Sequence, residues 1–167
     1  YELVPFEESS QTAAAFEEGR CDVLTSDLSQ LAGLRSNLAD PGSAVILADV
    51  ISKEPLGPAY LENDSVWGDV VNWAVFATMT AEEFGITSEN IDEYLASEDT
   101  AIQRFLGIGD NASGSLIGLD NDFTVNVIRS VGNFAEIFDR NIPPIGLQRG
   151  VNALWTDGGL MYPPAWR

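Results

Sequence analysis

Apolar and polar positions along this chain alternate between strand and helix periods over the first fifty residues. Tyr1 to Phe6 alternates well enough for a strand, with Pro5 marking a strand end or an edge. Gln11 to Glu18 reads as a short helix in which Ala14, Ala15 and Phe16 supply apolar contacts and Gly19 is the stop. Cys21 to Thr25 reads as a second strand. Leu28 to Leu38 reads as a second helix, with Leu28, Leu31, Leu34 (or Arg35) and Leu38 near one face. Asp40-Pro41-Gly42 is a turn signal. Ala44 to Ile51 is a continuous apolar run of the kind buried in a parallel sheet. The predicted order over residues 1–52 is therefore βαβαβ, an α/β unit with right-handed crossovers.

The pattern changes at Ser52. Glu54-Pro55-Leu56-Gly57-Pro58 cannot be helical, and its two prolines make it stiff and extended. Asp64 or Ser65 then caps a long helix to about Phe84, with Val66, Val70, Trp73, Ala77 and Phe84 at helical spacing and Gly85 as its end. Thr87 or Ser88 starts a shorter helix through Leu95, and Thr100 to Leu106 is another. Gly107 to Gly118 reads as a loose loop. Asn121 or Asp122 caps a helix carrying Phe123, Val127, Val131, Phe134 and Phe138 on one stripe. From Asn141 onward prolines, glycines, Trp155, Met161, Tyr162 and Trp166 make a tail of the kind that packs against another surface. The predicted organisation is an α/β part over 1–52, a crossover over 53–60, a helical segment over 61–140 and an aromatic, proline-rich tail over 141–167.

Composition narrows the chemistry. The chain has 167 residues, enough for one domain with a sizeable core. Its net charge of −18 leaves no basic footprint for nucleic acid, and an anionic membrane surface would repel it. Histidine is absent, which removes the usual general base, the usual zinc ligand and the Ser-His-Asp triad. The lone Cys21 can form neither an internal disulfide nor a Cys-rich metal site. No cofactor or metal site is expected. No apolar run approaches the roughly 20 residues that span a bilayer. The chain opens on Tyr1 in what already reads as a strand, so a processed or trimmed chain is expected.

One run concentrates the candidate chemistry. Gly19-Arg20-Cys21-Asp22-Val23-Leu24-Thr25-Ser26-Asp27 ends a helix, runs through a strand and delivers Asp27 at the strand's carboxyl end, where ligands bind in α/β sheets. Asp27-Leu28-Ser29-Gln30 also resembles a capping box for the next helix. A carboxylate has about four lone-pair sites, so a cap and a ligand contact can coexist. Thr25 and Ser26 line the same wall or are ordinary strand residues. Glu8, Ser9 and Ser10 follow the neighbouring strand and either face a ligand or cap the helix after them.

Other motifs carry less. Gly107-Ile108-Gly109-Asp110-Asn111-Ala112 fits a loose dinucleotide pattern, but it follows a helix and not a strand. Asp120-Asn121-Asp122 lacks the glycine and bidentate glutamate of a calcium loop, which leaves capping. Asn63-Asp64-Ser65 and Asn111-Ala112-Ser113 match the glycosylation acceptor, a common chance pattern.

Several segments taken together resemble one family. They are Gly19-Arg20-Cys21-Asp22-Val23, Ile51-Ser52-Lys53-Glu54-Pro55-Leu56-Gly57-Pro58, Gly118-Leu119-Asp120-Asn121-Asp122, Gly132-Asn133-Phe134 with Glu136-Ile137-Phe138, and Arg149 to Trp155 with Gly158 to Tyr162. The resemblance is to the general L-amino-acid binding proteins of bacterial ABC transporters, a branch of the family 3 solute-binding proteins, and it runs in order through nearly the whole chain. It implies a periplasmic-binding-protein type II-like fold, two α/β lobes joined by crossing strands with the ligand in the cleft. This chain looks like the C-terminal portion: the later part of lobe two, a return hinge with Glu54, Leu56, Gly57 and Pro58, and helices rejoining lobe one. Family members carry another cysteine upstream, which the resemblance offers as the absent partner of Cys21. It also implies that Asp27 holds the ligand α-ammonium, with Thr25, Ser26, Ser9 and Glu8 near it.

The expected function is non-catalytic, periplasmic binding of L-amino acids for delivery to the permease subunits of an ABC importer. Two other readings stand beside it: a fragment that binds nothing and associates with its own copies, and a dehydratase-like enzyme on the same fold. The lack of histidine and of an acid–base pair argues against the enzyme.

Overall fold

Asp64 begins the longest helix by accepting the backbone N–H of Trp67 on its side chain (3.0 Å). The structure, a computed structural model, describes residues 1–109 and 114–166. The Asn111-Ala112-Ser113 acceptor and the second half of the Gly107–Ala112 pattern lie outside the described residues. The helices are α1 (Ser9–Glu17), α2 (Leu28–Ser36), α3 (Ser65–Glu83), α4 (Ile91–Tyr94), α5 (Thr100–Phe105), α6 (Phe123–Val131) and α7 (Phe134–Asn141). Short 3-10 turns punctuate the rest, among them Pro41–Ser43, Gly114–Ile117 and Pro143–Ile145.

The predicted βαβαβ unit is not formed among the described residues. Residues 1–6, 21–25 and 44–51 carry no strand ladder, and the single β-bridge joins Leu154 to Met161 in the tail. The reason is physical. An apolar run announces that a segment suits burial, but a strand also needs a neighbour about 4.8 Å away to take its N–H and C=O groups. Among the described residues no strand pairs with these segments, and Val45 and Ile51 are 80% and 84% exposed. Leu3, Val23, Leu47 and Val50 are exposed with them.

The chain divides into two compact units. The first holds Tyr1–Leu56 and Ile145–Leu147, and the second Gly57–Pro144 and Gln148–Arg167. In the first unit α1 and α2 each bury a single alanine, Ala15 and Ala32. Leu28, expected on the apolar face of α2, is exposed. Glu17 accepts the backbone N–H of Ala39 (2.9 Å), which fastens the end of α1 to the chain after α2.

The second unit contains the apolar core. Ala77 and Ala81 of α3 pack with Ile86, Ile91, Phe105, Leu106, Val125 and Ile128. Small residues on α3 allow α6 and α7 to approach it closely, and each fully buried large side chain contributes about 1.5–3 kcal/mol. Trp166 from the tail stands edge-on to Trp73 (centroids 4.8 Å apart) and Phe105 (5.2 Å), so the chain's last described residue joins this core. The tail is pinned to the end of α3 at two further points. Arg149 pairs with Glu82 (2.5 Å), and Trp155 Nε1 donates to Glu83 (3.1 Å).

Two helix expectations are corrected. The single helix predicted from Asn121 or Asp122 through Phe138 is broken into α6 and α7. Gly132 adopts φ +84°, and Asn133 then caps α7 in a capping box with Glu136. The apolar stripe continues across the break because two short helices share its spacing. The helix predicted from Thr87 or Ser88 begins only at Ile91. Thr87 and Asn90 exchange backbone-to-side-chain hydrogen bonds (2.7 and 3.2 Å) that close a turn in place of the first helical turn.

Candidate functional site

The candidate residues of the first unit sit where loops enter α1 and α2. Asp27 occupies the N-cap position of α2 with extended backbone (φ −62°, ψ 150°), and its carbonyl accepts the N–H of Leu31 (2.9 Å). Its carboxylate, however, makes no capping hydrogen bond. The expected capping box is not formed, because Gln30 pairs with the Ser26 hydroxyl and does not reach back to the backbone of Asp27. This Ser26–Gln30 bond, at i,i+4 spacing across the helix start, was missed in the sequence. Its only signal was two polar side chains one helical turn apart.

Asp27 is a half-buried acid whose Oδ1 is shielded from solvent and has no hydrogen-bond partner among the described residues. Buried acceptors without partners are uncommon in folded proteins, and each costs about 1–3 kcal/mol of desolvation. A carboxylate held in this way is free to accept from an incoming donor. An ammonium group supplies three donors and a positive charge. Helix dipoles also favour negative charge at an N-terminus, and Asp27 stands at the start of α2.

Glu8 stands at the N-cap of α1 and makes no side-chain cap. The helix is closed instead by the Glu8 carbonyl, which accepts the N–H groups of Gln11 (3.1 Å) and Thr12 (3.2 Å). Ser9 is the first residue of α1, and Glu8, Ser9, Thr25 and Ser26 are all exposed. No hydrogen bond or ion pair among the described residues joins Glu8 or Ser9 to Asp27. Cys21 is a half-buried free thiol. In the crossover segment Glu54, Leu56, Gly57 and Pro58 are exposed, and Glu54 accepts from the Ser52 hydroxyl (2.7 Å). Past it, Tyr60 lies over Gly68 of α3, where a Cβ would come within 2.6 Å of the ring.

Comparison with known proteins gives these positions a context. The chain is 48% identical to the general L-amino acid-binding periplasmic protein of Rhizobium johnstonii, over 171 aligned positions covering all of this chain and 50% of the relative. It is 44% identical to the glutamate/glutamine/aspartate/asparagine-binding protein of Rhodobacter capsulatus, again over all of this chain and 50% of the relative. Among solved structures, an ABC transporter periplasmic binding protein from Brucella ovis with glutathione bound superposes with a TM-score of 0.95 at 44% identity, over all of this chain and 53% of that one. The chain spans about half the length of the curated relatives it matches. No family model matches it.

Proposed function

We propose that this chain, related along its whole length to amino-acid-binding proteins of ABC transporters, contributes to binding an L-amino acid through Asp27. One observation carries the reading: the buried Oδ1 of Asp27 has no partner among the described residues although the residue occupies a helix N-cap, where a carboxylate ordinarily finds one. Both relatives are amino-acid-binding proteins, and the one from Rhizobium johnstonii is a periplasmic one. On this reading Asp27 accepts the ligand α-ammonium, and Thr25, Ser26, Ser9 and Glu8 form the wall around it. Binding needs no bond-making step, which agrees with a chain that lacks histidine.

The finer architecture follows the same reading. Residues 1–6, 21–25 and 44–51 take strand positions in an α/β lobe when flanking strands are supplied. Residues 53–60, with Glu54, Leu56, Gly57 and Pro58, act as the hinge. Their two prolines stiffen a segment that lies across the boundary between the two units. The protein works in the periplasm and hands its ligand to the permease subunits of an ABC importer.

Calorimetric titration of the 167-residue chain with a panel of L-amino acids tests the reading. Saturable heat with at least one amino acid and none with its N-acetyl derivative supports recognition of the ammonium. Equal binding of free and N-acetylated ligand overturns the role given to Asp27.

A further inference from the structure

The first turn of α2 holds two polar side chains that do not serve the helix. Asp27 at the N-cap makes no side-chain cap, and Gln30, at the position from which a capping box is closed, does not reach back to the backbone. Gln30 accepts instead from the hydroxyl of Ser26, one residue before the N-cap. A glutamine amide has an acceptor oxygen at one end and two N–H donors at the other. Ser26 takes the oxygen, and among the described residues Nε2 has no partner. The Gln30 side chain is exposed, so this donor end faces solvent.

Asp27 presents the opposite chemistry. Its Oδ1 is a shielded acceptor without a partner among the described residues. Residues three apart at a helix start are neighbours, with Cβ atoms about 5–6 Å apart, and a capping box forms because side chains at these two positions reach the same space. One turn of α2 therefore offers a carboxylate acceptor and a pair of neutral donors side by side. Their complement is a small molecule that carries a cationic donor and, a few bonds away, an oxygen acceptor.

We infer that Gln30 reads the bound amino acid: its Nε2 donates to an oxygen of the ligand while Asp27 accepts the ammonium. This rests on the binding role proposed for Asp27. An α-carboxylate and a side-chain carboxylate or amide both present such an oxygen, and the same donor suits each. Ser26 acts through Gln30 as a positioning residue. With the hydroxyl on Oε1, the amide cannot turn its acceptor end towards the ligand without breaking that bond. A long side chain already held in one orientation also loses less freedom when ligand arrives.

Calorimetric titration of the 167-residue chain with L-glutamate and L-alanine tests the assignment. Gln30→Glu keeps the shape of the side chain and puts a favourable charge at a helix start, so the Tm is expected to hold, but it replaces both donors with an acceptor. Affinity for glutamate is expected to fall about tenfold. A loss of the same size for alanine assigns the oxygen to the α-carboxylate, and a loss confined to glutamate assigns it to the side chain. Ser26→Ala is expected to weaken glutamate binding about threefold, Ser26→Thr to restore it, and Ser26→Ala to add nothing in a Gln30→Ala chain. Affinities for both ligands left unchanged by Gln30→Glu, but lowered by Asp27→Asn, overturn the inference and leave the role of Asp27 standing. A Ser26→Ala loss that persists in the Gln30→Ala chain overturns the positioning role. Silence of the unaltered chain with a full panel of L-amino acids removes the reading of Asp27 and this inference with it.

Discussion

Arg149 reaches across 67 residues of sequence to pair with Glu82 while its guanidinium covers Phe134 and Phe138. The two side chains of the pair are only 23% and 11% exposed. Arg149 also donates to the carbonyl of Asn152 (3.1 Å), so one residue fixes the tail, α3 and α7 together. Removing one partner of such a pair strands the other, which costs about 3–5 kcal/mol for full burial and less at this exposure. Arg149→Ala is expected to cost about 2–3 kcal/mol and Glu82→Gln about 1–2 kcal/mol. Arg149→Lys should recover little of the loss, since a lysine keeps the charge but not the planar stacking on two rings. Urea unfolding of the three variants checks this ranking, and an Arg149→Lys chain as stable as the original would contradict it.

Glu136 makes stability depend on acid. Burial alone would raise its pKa, but hydrogen bonds from the Ser88 hydroxyl, from the Asn133 and Ser88 backbone N–H groups, and the nearby charge of Arg140 together hold it below the ordinary glutamate value. The bonds are short, at 2.5 Å from Ser88 Oγ and 2.8 Å from Asn133 N. The folded state therefore binds this proton less readily than the unfolded chain. The stabilisation is fully present above the unfolded pKa of about 4.3 and fades as pH falls through the lower folded value. Glu136→Gln keeps the cap's geometry but loses the charge. Its urea midpoint is expected to lie below that of the parent at pH 6 and to converge with it towards pH 3. Parallel midpoints across that range would refute the assignment.

Gly107 is a test of close approach in the core. It has φ +69°, and a Cβ there would fall 1.8 Å from the carbonyl oxygen of Asn121. Nearby, the buried Thr124 hydroxyl donates to the carbonyl of Phe105 (2.6 Å), so the backbone around Asn121 has little room to retreat. Gly107→Ala is expected to cost more than about 3 kcal/mol, from left-handed strain and the clash together. Gly109, with φ +77° and no atom of the described residues within 4 Å of a Cβ built there, is the control. Gly109→Ala should cost only the strain, about 1–2 kcal/mol. Thermal unfolding separates the two, and equal losses would show that the contact with Asn121 is relieved by a small shift.

How legible all this was depended on how local the signal was. Asp64 and Gly85 marked the ends of α3 because a cap and a left-handed stop act on residues within one turn of themselves. The break at Gly132-Asn133 was hidden by an apolar stripe that two helices happen to share, although the capping pair Asn133 and Glu136 stood in plain view. The three predicted strands went unformed for a non-local reason. The run from Ala44 to Ile51 states what it would bury but not which neighbour would pair with it. The tail was read as packing against something, yet its partners Glu82 and Glu83 could not be read from spacing, since they lie 67 and 72 residues away. At the site, the sequence singled out Asp27 but left open whether it caps α2. The structure answers that its carboxylate makes no cap, while the Gln30 side chain that would have closed the box is taken by the Ser26 hydroxyl.

That unpaired acid gives a last prediction, in which stability and binding move apart. If Asp27 were there to hold α2 together, replacing it would cost the roughly 1 kcal/mol of a lost N-cap. Its side chain makes no cap, and its buried oxygen lacks a partner among the described residues, so the ligand-free chain carries a desolvated acceptor. Asp27→Asn is therefore expected to leave the ligand-free Tm unchanged or slightly raised. The same substitution removes the charge that would face an ammonium, and charge-assisted hydrogen bonds contribute about 1.5–3 kcal/mol, so amino-acid affinity should fall at least tenfold. Such a split, stability held and affinity lost, is what a ligand-facing acid would show. Thermal unfolding and calorimetric titration of the one variant decide the matter together. A lowered Tm with affinity intact would assign Asp27 to the fold.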